Sequence, residues 1–294
     1  MKFAGHQSFH LRDQWLYKGI YWTKKSPQIL FKKNTEIAMR EMGIGKNMID
    51  SLIYWLKVSN LIKLNQTSFM LTKTASQILE KDSYFELDGT LFLLHYFIAT
   101  NKEEATAWHW FFNHFSANEF EKESLENAFS TYIQLKTNKQ IKETTLNKDL
   151  NCLLRMYQSI DWKGRNNPET ENPSPFTKYG WIEKKAEKFI RNKLNRNDLN
   201  IHIFSYLIYT FWKKELARPK SMKLEDVSLE ENSPGRIFDF SLEEMNDLID
   251  SSSKTNSYLN YSRTGGYFII QLNEKNIKKS LDNYYKEMNL NELS

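Results

Sequence analysis

Asn34-Thr35-Glu36-Ile37-Ala38-Met39-Arg40-Glu41-Met42-Gly43 has the form of a short helix. Asn34 or Thr35 can accept hydrogen bonds from the orphan amides at its start, and Gly43 supplies the left-handed residue at its end. Ile44-Gly45 is a tight turn into a second, longer helix from Lys46 to about Ser59. There Met48, Leu52, Trp55 and Leu56 recur at the helical period on one face, and Lys46, Asn47, Asp50, Ser51, Tyr54 and Lys57 occupy the other. Leu61-Ile62-Lys63-Leu64, Asn65-Gln66-Thr67-Ser68 and Phe69-Met70-Leu71-Thr72 then read as strand, polar turn and strand. Helix, glycine turn, helix and hairpin is the order of a winged helix-turn-helix, and the agreement of four local signals weighs more than any one of them.

The charge distribution points the same way. The 294-residue chain carries a formal +5, yet residues 1–82 hold 13 Lys/Arg against 6 Asp/Glu, and residues 83–294 hold 28 against 30. The whole positive excess sits around the helix-turn-helix, as expected of a module that meets a polyanion; the alternative is a basic solvated surface. A single cysteine, Cys152, excludes an internal disulfide framework and a cysteine-ligated zinc site. Neither a membrane-length apolar run nor a secretory signal is visible in the sequence, so a cytoplasmic protein is expected.

The length predicts more than one domain, with 1–82 as the DNA-binding winged helix-turn-helix, 83–196 as a helical domain and 197–294 as a helix-hairpin domain. The fold class is therefore mainly α with small β-hairpins. Between Tyr84 and Arg196 the signals are nearly all helical: Leu91–Ala99, Ala105–Phe115, and a helix that Thr145 can cap, with Leu146, Leu150, Leu153, Leu154 and Tyr157 as its apolar stripe. A polar, proline-containing loop covers 164–175. In the last segment Ile201–Leu216 is an aromatic-rich helix and Ser233-Pro234-Gly235-Arg236 a turn. Ser241 with Glu244 forms a capping box, and Arg263-Thr264-Gly265-Gly266 sits at a hairpin tip in what could be a second winged-helix-like module.

Phe3-Ala4-Gly5-His6 with Ser8-Phe9, Arg12 and Trp15-Leu16; Gly43-Ile44-Gly45-Lys46-Asn47-Met48; Thr106-Ala107-Trp108-His109-Trp110-Phe111-Phe112-Asn113; Lys148-Asp149 through Tyr157; Ser174-Pro175-Phe176; and Ser233-Pro234-Gly235-Arg236-Ile237-Phe238 together resemble a bacterial family of uncharacterised function. It is found in DNA phosphorothioation gene clusters and includes DNA-nicking SspB-type proteins. The resemblance implies a part in antiphage defence, with DNA nicked to permit sulfur to replace a backbone oxygen. It implies Mg or Mn as cofactor if the chain is a nickase. The implied companions are a cysteine desulfurase, an ATPase and a sulfur-transferring pyrophosphatase. The alternative is a non-catalytic DNA-binding, scaffold or regulatory subunit of the same type of cluster.

On the recognition helix, Asn47 could pair with adenine and Lys46 with guanine or phosphate, with Asp50, Ser51, Tyr54 and Lys57 along the same face. Asn65, Gln66 and Thr67, with Ser68, would meet phosphate or the minor groove from the hairpin, and Arg236 and Arg263 are further phosphate candidates. A winged helix used for protein contact is the alternative. His6, His10, Arg12 and Asp13, with Gln7, could activate water, stabilise an oxyanion or hold a divalent metal. They could instead form a packed N-terminal arm with His6 as a core histidine. Lys148, Asp149, Arg155, Asp161, Glu169 and Glu171 read as a solvated face, and His95, His109 and His114 as packing among aromatics.

Overall fold

In a computed structural model of the chain, described at residues 1–138, 141–160, 173–214, 221–265 and 267–291, helices dominate and the strands form small antiparallel sheets. The chain folds as two compact units, one made of Met1–Glu86 and Phe97–Asn192, the other of Leu87–Tyr96 and Lys193–Ser294. The three sequential segments expected from the sequence do not follow this interleaved division. No helix among the described residues is long and apolar enough to cross a membrane.

The first unit begins with α1 (Trp15–Lys25), α2 (Thr35–Met42) and α3 (Lys46–Val58), followed by the hairpin β1 (Ile62–Asn65) and β2 (Ser68–Leu71) and by α4 (Lys73–Lys81). Gly43 ends α2 at φ 67°, where a side chain would be strained, and its amide closes on Met39 O. The start of α2 differs from expectation. The Asn34 side chain makes no capping bond, and the Thr35 hydroxyl donates to Lys32 O, because a 3-10 turn at Lys32–Asn34 runs directly into the helix. The hairpin pairs Ile62 with Leu71 through Asn65 with Ser68, leaving Gln66-Thr67 at its tip.

After α5 (Asp88–Ala99), which contributes to both units, come α6 (Thr106–Asn113), β3 (Glu119–Glu121), α7 (Lys122–Thr137), α8 (Glu143–Tyr157), β4 (Ile182–Lys185) and β5 (Lys188–Arg191). The expectation of an almost wholly helical segment here is corrected by the sheet β3-β5-β4. Its strands read Glu-Phe-Glu, Ile-Glu-Lys-Lys and Lys-Phe-Ile-Arg, so each offers one or two apolar positions and the charges conceal the period-2 signal. Thr145 lies inside α8, which starts two residues earlier. Trp108, Phe111, Phe129 and Tyr157 are fully buried and form the aromatic core of this half of the unit.

The second unit contains α9 (Ile201–Lys214), β6 (Ser221–Lys223), α10 (Leu224–Leu229), α11 (Pro234–Phe238), α12 (Leu242–Lys254), β7 (Leu259–Thr264), β8 (Tyr267–Leu272), α13 (Glu274–Ile277) and α14 (Ser280–Asn291). The Ser241–Glu244 capping box opens α12 as read from the sequence, and the β7–β8 hairpin is present, with Gly266 outside the described residues.

One order recurs along the chain: helix, helix, then hairpin. It is α2-α3-β1-β2 first, then α7-α8-β4-β5, then α10 to α12 with β7-β8. In the second and third instances a strand precedes the helices and joins the hairpin, giving sheets ordered β3-β5-β4 and β6-β8-β7. No sequence repeat announces this, because what recurs is the pattern of burial and turns rather than residue identity.

The third instance depends on one close approach. A Cβ added at Gly235 would lie 2.6 Å from backbone atoms of Ser228, so α10 and α11 pack at a distance only glycine permits. Gly235→Ala is expected to destabilise the protein by about 2 kcal/mol through overpacking. Thermal or urea unfolding checks this, and an unchanged midpoint would contradict the packing described.

Candidate functional site

The N-terminal arm is a strained turn. Ala4, Gln7 and Ser8 have φ of 52°, 50° and 66°, and the turn closes through Gln7 N–H on Ala4 O at 3.2 Å and Phe9 N–H on His6 O at 2.9 Å. Non-glycine residues hold such angles only where their surroundings over-determine them. Here the surroundings are specific. A Cβ on Gly5 would sit 2.7 Å from the Tyr54 ring, so glycine lets the arm lie directly on α3. His6 enters an aromatic cage of Tyr54, Trp55 and Trp108, with ring centroids 5.9, 6.2 and 5.6 Å away. His6 Nε2 lies 2.8 Å from Asp149 Oδ1, and the same oxygen accepts the Ala4 N–H at 2.7 Å.

Asp149 was expected on a solvated face; it is 2% exposed. The reason is that α8 turns it toward the arm, where an imidazole and a backbone amide satisfy its carboxylate, as a buried charge requires. The arm also takes α3's inner polar groups. Trp55 Nε1 donates to Phe9 O at 3.1 Å and the Ser51 hydroxyl to the same oxygen at 3.4 Å. Burial, with the Asp149 charge second, pushes the Tyr54 phenol and the Cys152 thiol up, which keeps both protonated near neutral pH and unsuited to act as nucleophiles.

The four residues expected to act in catalysis are therefore not presented together on an open surface. His6 is wholly buried and His10 nearly so. The Arg12 guanidinium rests 5.5 Å from the Phe9 ring and 5.3 Å from the Trp15 ring. Asp13 is exposed; partial desolvation raises its carboxyl while Lys178 opposes the rise, and its amide donates to Pro173 O at 3.1 Å. His6, His10 and Asp13 do not converge within reach of one ion, so this expected ligand set does not fit Mg or Mn. His95 is buried beside the Phe238 ring and His109 is buried, whereas His114 is exposed and stacks on Tyr132 at 5.2 Å. Lys148 and Arg155 are exposed; Asp161, Glu169, Glu171 and most of the 164–175 loop lie outside the described residues.

The expected recognition face is narrower than its periodicity suggests. Ser51 and Tyr54, assigned to it from sequence, are buried at 0% and 5% exposure, because the arm covers the side of α3 that a lone helix would leave to water. Lys46 and Asn47 are exposed, and Asp50, Ile53 and Lys57 half-exposed, so the outward stripe runs 46/47, 50, 53 and 57. Gly45 precedes the helix without a side-chain cap, which leaves the first amides of α3 directed outward beside Lys46 and Asn47. At the other end Lys57 lies 5.2 Å over the Phe69 ring, and burial with the neighbouring Lys2 charge lowers its pKa. On the hairpin Asn65, Gln66 and Thr67 are exposed, Ser68 is half-exposed, and Leu64 and Met70 are exposed as well. Sequence reasoning missed those two apolar residues: Leu64 is exposed although it is paired with the buried Phe69, and Met70 lies on the outer face opposite Lys63. Arg236 is exposed but donates to Leu229 O at 3.2 and 3.3 Å, and Arg263 lies over the Phe268 ring.

Arrangement and sequence together define the class. Residues 3–285 match the model of the protein family of unknown function DUF4007, and the chain belongs to that family. Its fold is similar to that of SspB in two crystal structures, one of them magnesium-ion-bound. For each the TM-score is 0.84 and the identity 21%, over 97% of this chain and 88% of the other. No curated protein matches the sequence.

Asp149→Ala would leave the buried His6 ring and the half-buried Ala4 amide without their partner. A loss of about 3 kcal/mol in urea unfolding is expected, with released near-ultraviolet signal from the Trp55–Trp108 pair. A variant as stable as wild type would refute the buried anchor.

Proposed function

We propose that α2, α3 and the β1–β2 hairpin form a winged helix-turn-helix that binds double-stranded DNA, and that the protein serves a phosphorothioation-type antiphage defence system. The observation that carries this reading is the division of α3. Its inner face is fixed by the arm and Asp149, while its N-terminal end offers Lys46, Asn47 and uncapped amides to the outside. An amide-rich helix start with adjacent cation and amide side chains matches a phosphate and the edges of neighbouring bases. The hairpin tip supplies Asn65, Gln66 and Thr67 for the flanking backbone.

The third instance of the same order supports the assignment by contrast. In α8 the apolar stripe and Asp149 are buried while Glu143, Lys148 and Arg155 are exposed, and in the third instance α12 carries Glu243, Glu244, Asp247 and Asp250. Four carboxylates along one helix repel phosphate, which sets α12 apart from α3. The family resemblance and the SspB-like fold support the cellular setting, with cysteine desulfurase, ATPase and sulfur-transferring pyrophosphatase as companions.

Strand nicking is a second reading, favoured by likeness to SspB over nearly the whole chain. If the protein nicks DNA, groups other than His6 and His10 do the chemistry. Purified protein and supercoiled plasmid, with Mg or Mn and then chelator, separate the readings: open circles that stop with chelator identify a nickase, and retardation without cutting identifies a binding subunit.

Lys46→Ala is expected to weaken duplex binding and to reduce the salt-dependence slope by roughly one unit, with Lys57→Ala having the smaller effect because its ammonium is half-buried. Fluorescence anisotropy at several salt concentrations reads both. Equal affinity and equal slope in the Lys46 variant would remove α3 from the interface.

A further inference from the structure

The outer face of α1 holds an aromatic cluster that neither the core nor the proposed duplex surface uses. Tyr17 and Tyr21, one helical turn apart, have ring centroids 5.7 Å apart, and Tyr84 lies 4.7 Å from Tyr17 at an interplanar angle of 34°. Trp22 meets Tyr21 edge-on at 5.6 Å. Tyr84 is 62% exposed and Tyr21 38%. Tyr84 is held outward by its neighbour: Phe85, at φ 60°, inserts into the core at 3% exposure and turns the preceding residue to the surface. A run of rings in water, one of them displayed by a strained backbone, is unusual for side chains of this size.

The charges around it are of one kind on the helix. Lys24 and Lys25 occupy its last turn, with Lys25 Nζ 4.5 Å from the Trp22 ring and 5.6 Å from Tyr21, and among the described residues no carboxylate pairs with either lysine. Lys18 lies on the same face and donates to Met42 O at 3.2 Å. The nearby Asp13 feels both the Lys178 cation and the Glu86 carboxylate.

We propose that this face is a stacking platform for the unpaired bases of a single DNA strand, with Tyr21 and Tyr84 taking base faces and Lys24 and Lys25 the adjoining phosphates. Exposed rings beside cations are the chemistry by which single strands are held without sequence readout. Paired bases in a duplex present only their edges, so a platform of ring faces discriminates in favour of opened or frayed DNA. The proposal extends the DNA-binding reading to a second surface on the same unit, distinct from α3.

The test compares a labelled short oligothymidylate and a labelled duplex on wild-type protein, on Tyr21→Ala/Tyr84→Ala, and on Lys46→Ala. The tyrosine variant is expected to lose about tenfold or more in affinity for the oligothymidylate while holding the duplex within twofold. Lys46→Ala is expected to do the reverse. Because both tyrosines are exposed the variant should fold, and its unfolding midpoint verifies this. Quenching of Trp22 fluorescence by oligothymidylate on wild-type protein, absent in Trp22→Phe, gives a readout that needs no tyrosine substitution. Wild-type binding to duplex but not to oligothymidylate, or equal losses on both ligands in the tyrosine variant, would overturn the platform and leave the duplex reading standing. Failure to bind either ligand would overturn both.

Discussion

The contact between His6 and Asp149 governs the organisation of the first unit. It draws a strained arm across α3, ties the arm to α8, and fills an aromatic cage with an imidazole whose Nε2 pairs with a carboxylate. Three backbone positions with positive φ, a glycine pressed against Tyr54 and a carboxylate shared with the Ala4 amide all serve this one junction. Without it, Ser51, Tyr54 and Trp55 would lose the cover that makes them interior residues.

The same junction decides which part of α3 meets the outside. A helix standing alone would show half its circumference; with the arm in place it shows a stripe that begins at Lys46 and Asn47. The later copies of the helix–helix–hairpin order add a strand to the hairpin and differ in chemistry as well. In one, α8 buries its apolar stripe and Asp149; in the other, α12 is lined with carboxylates.

Local elements were largely legible in the sequence, because they depend on short-range chemistry. Gly43, the Ser241–Glu244 box and the alternation around Gln66-Thr67 each specify their turn or cap within a few residues. The β3-β5-β4 sheet was not legible, because Glu119–Glu121 pairs with residues some seventy positions later and its strands carry little apolar signal. The site was half legible. Lys46 and Asn47 lie where periodicity puts them, but Asp149, read as solvated, is buried, and Ser51 and Tyr54 face inward. Those misreadings share one cause: a helix's periodicity identifies its strongest apolar face, and cannot reveal that a distant arm will cover a second one. His6 could be read either as a reactive group or as a core residue; the deciding partner lies 143 positions away.

Amide hydrogen exchange, read by peptide with and without duplex DNA, tests the central claim most directly. In the free protein, residues 3–9 and 51–58 should exchange slowly together, as parts of one closed junction. Added duplex should slow exchange at 45–50 and 62–70 and leave 242–250 unchanged. Rapid exchange across the arm, or DNA-dependent protection on α12 instead of α3, would contradict the account.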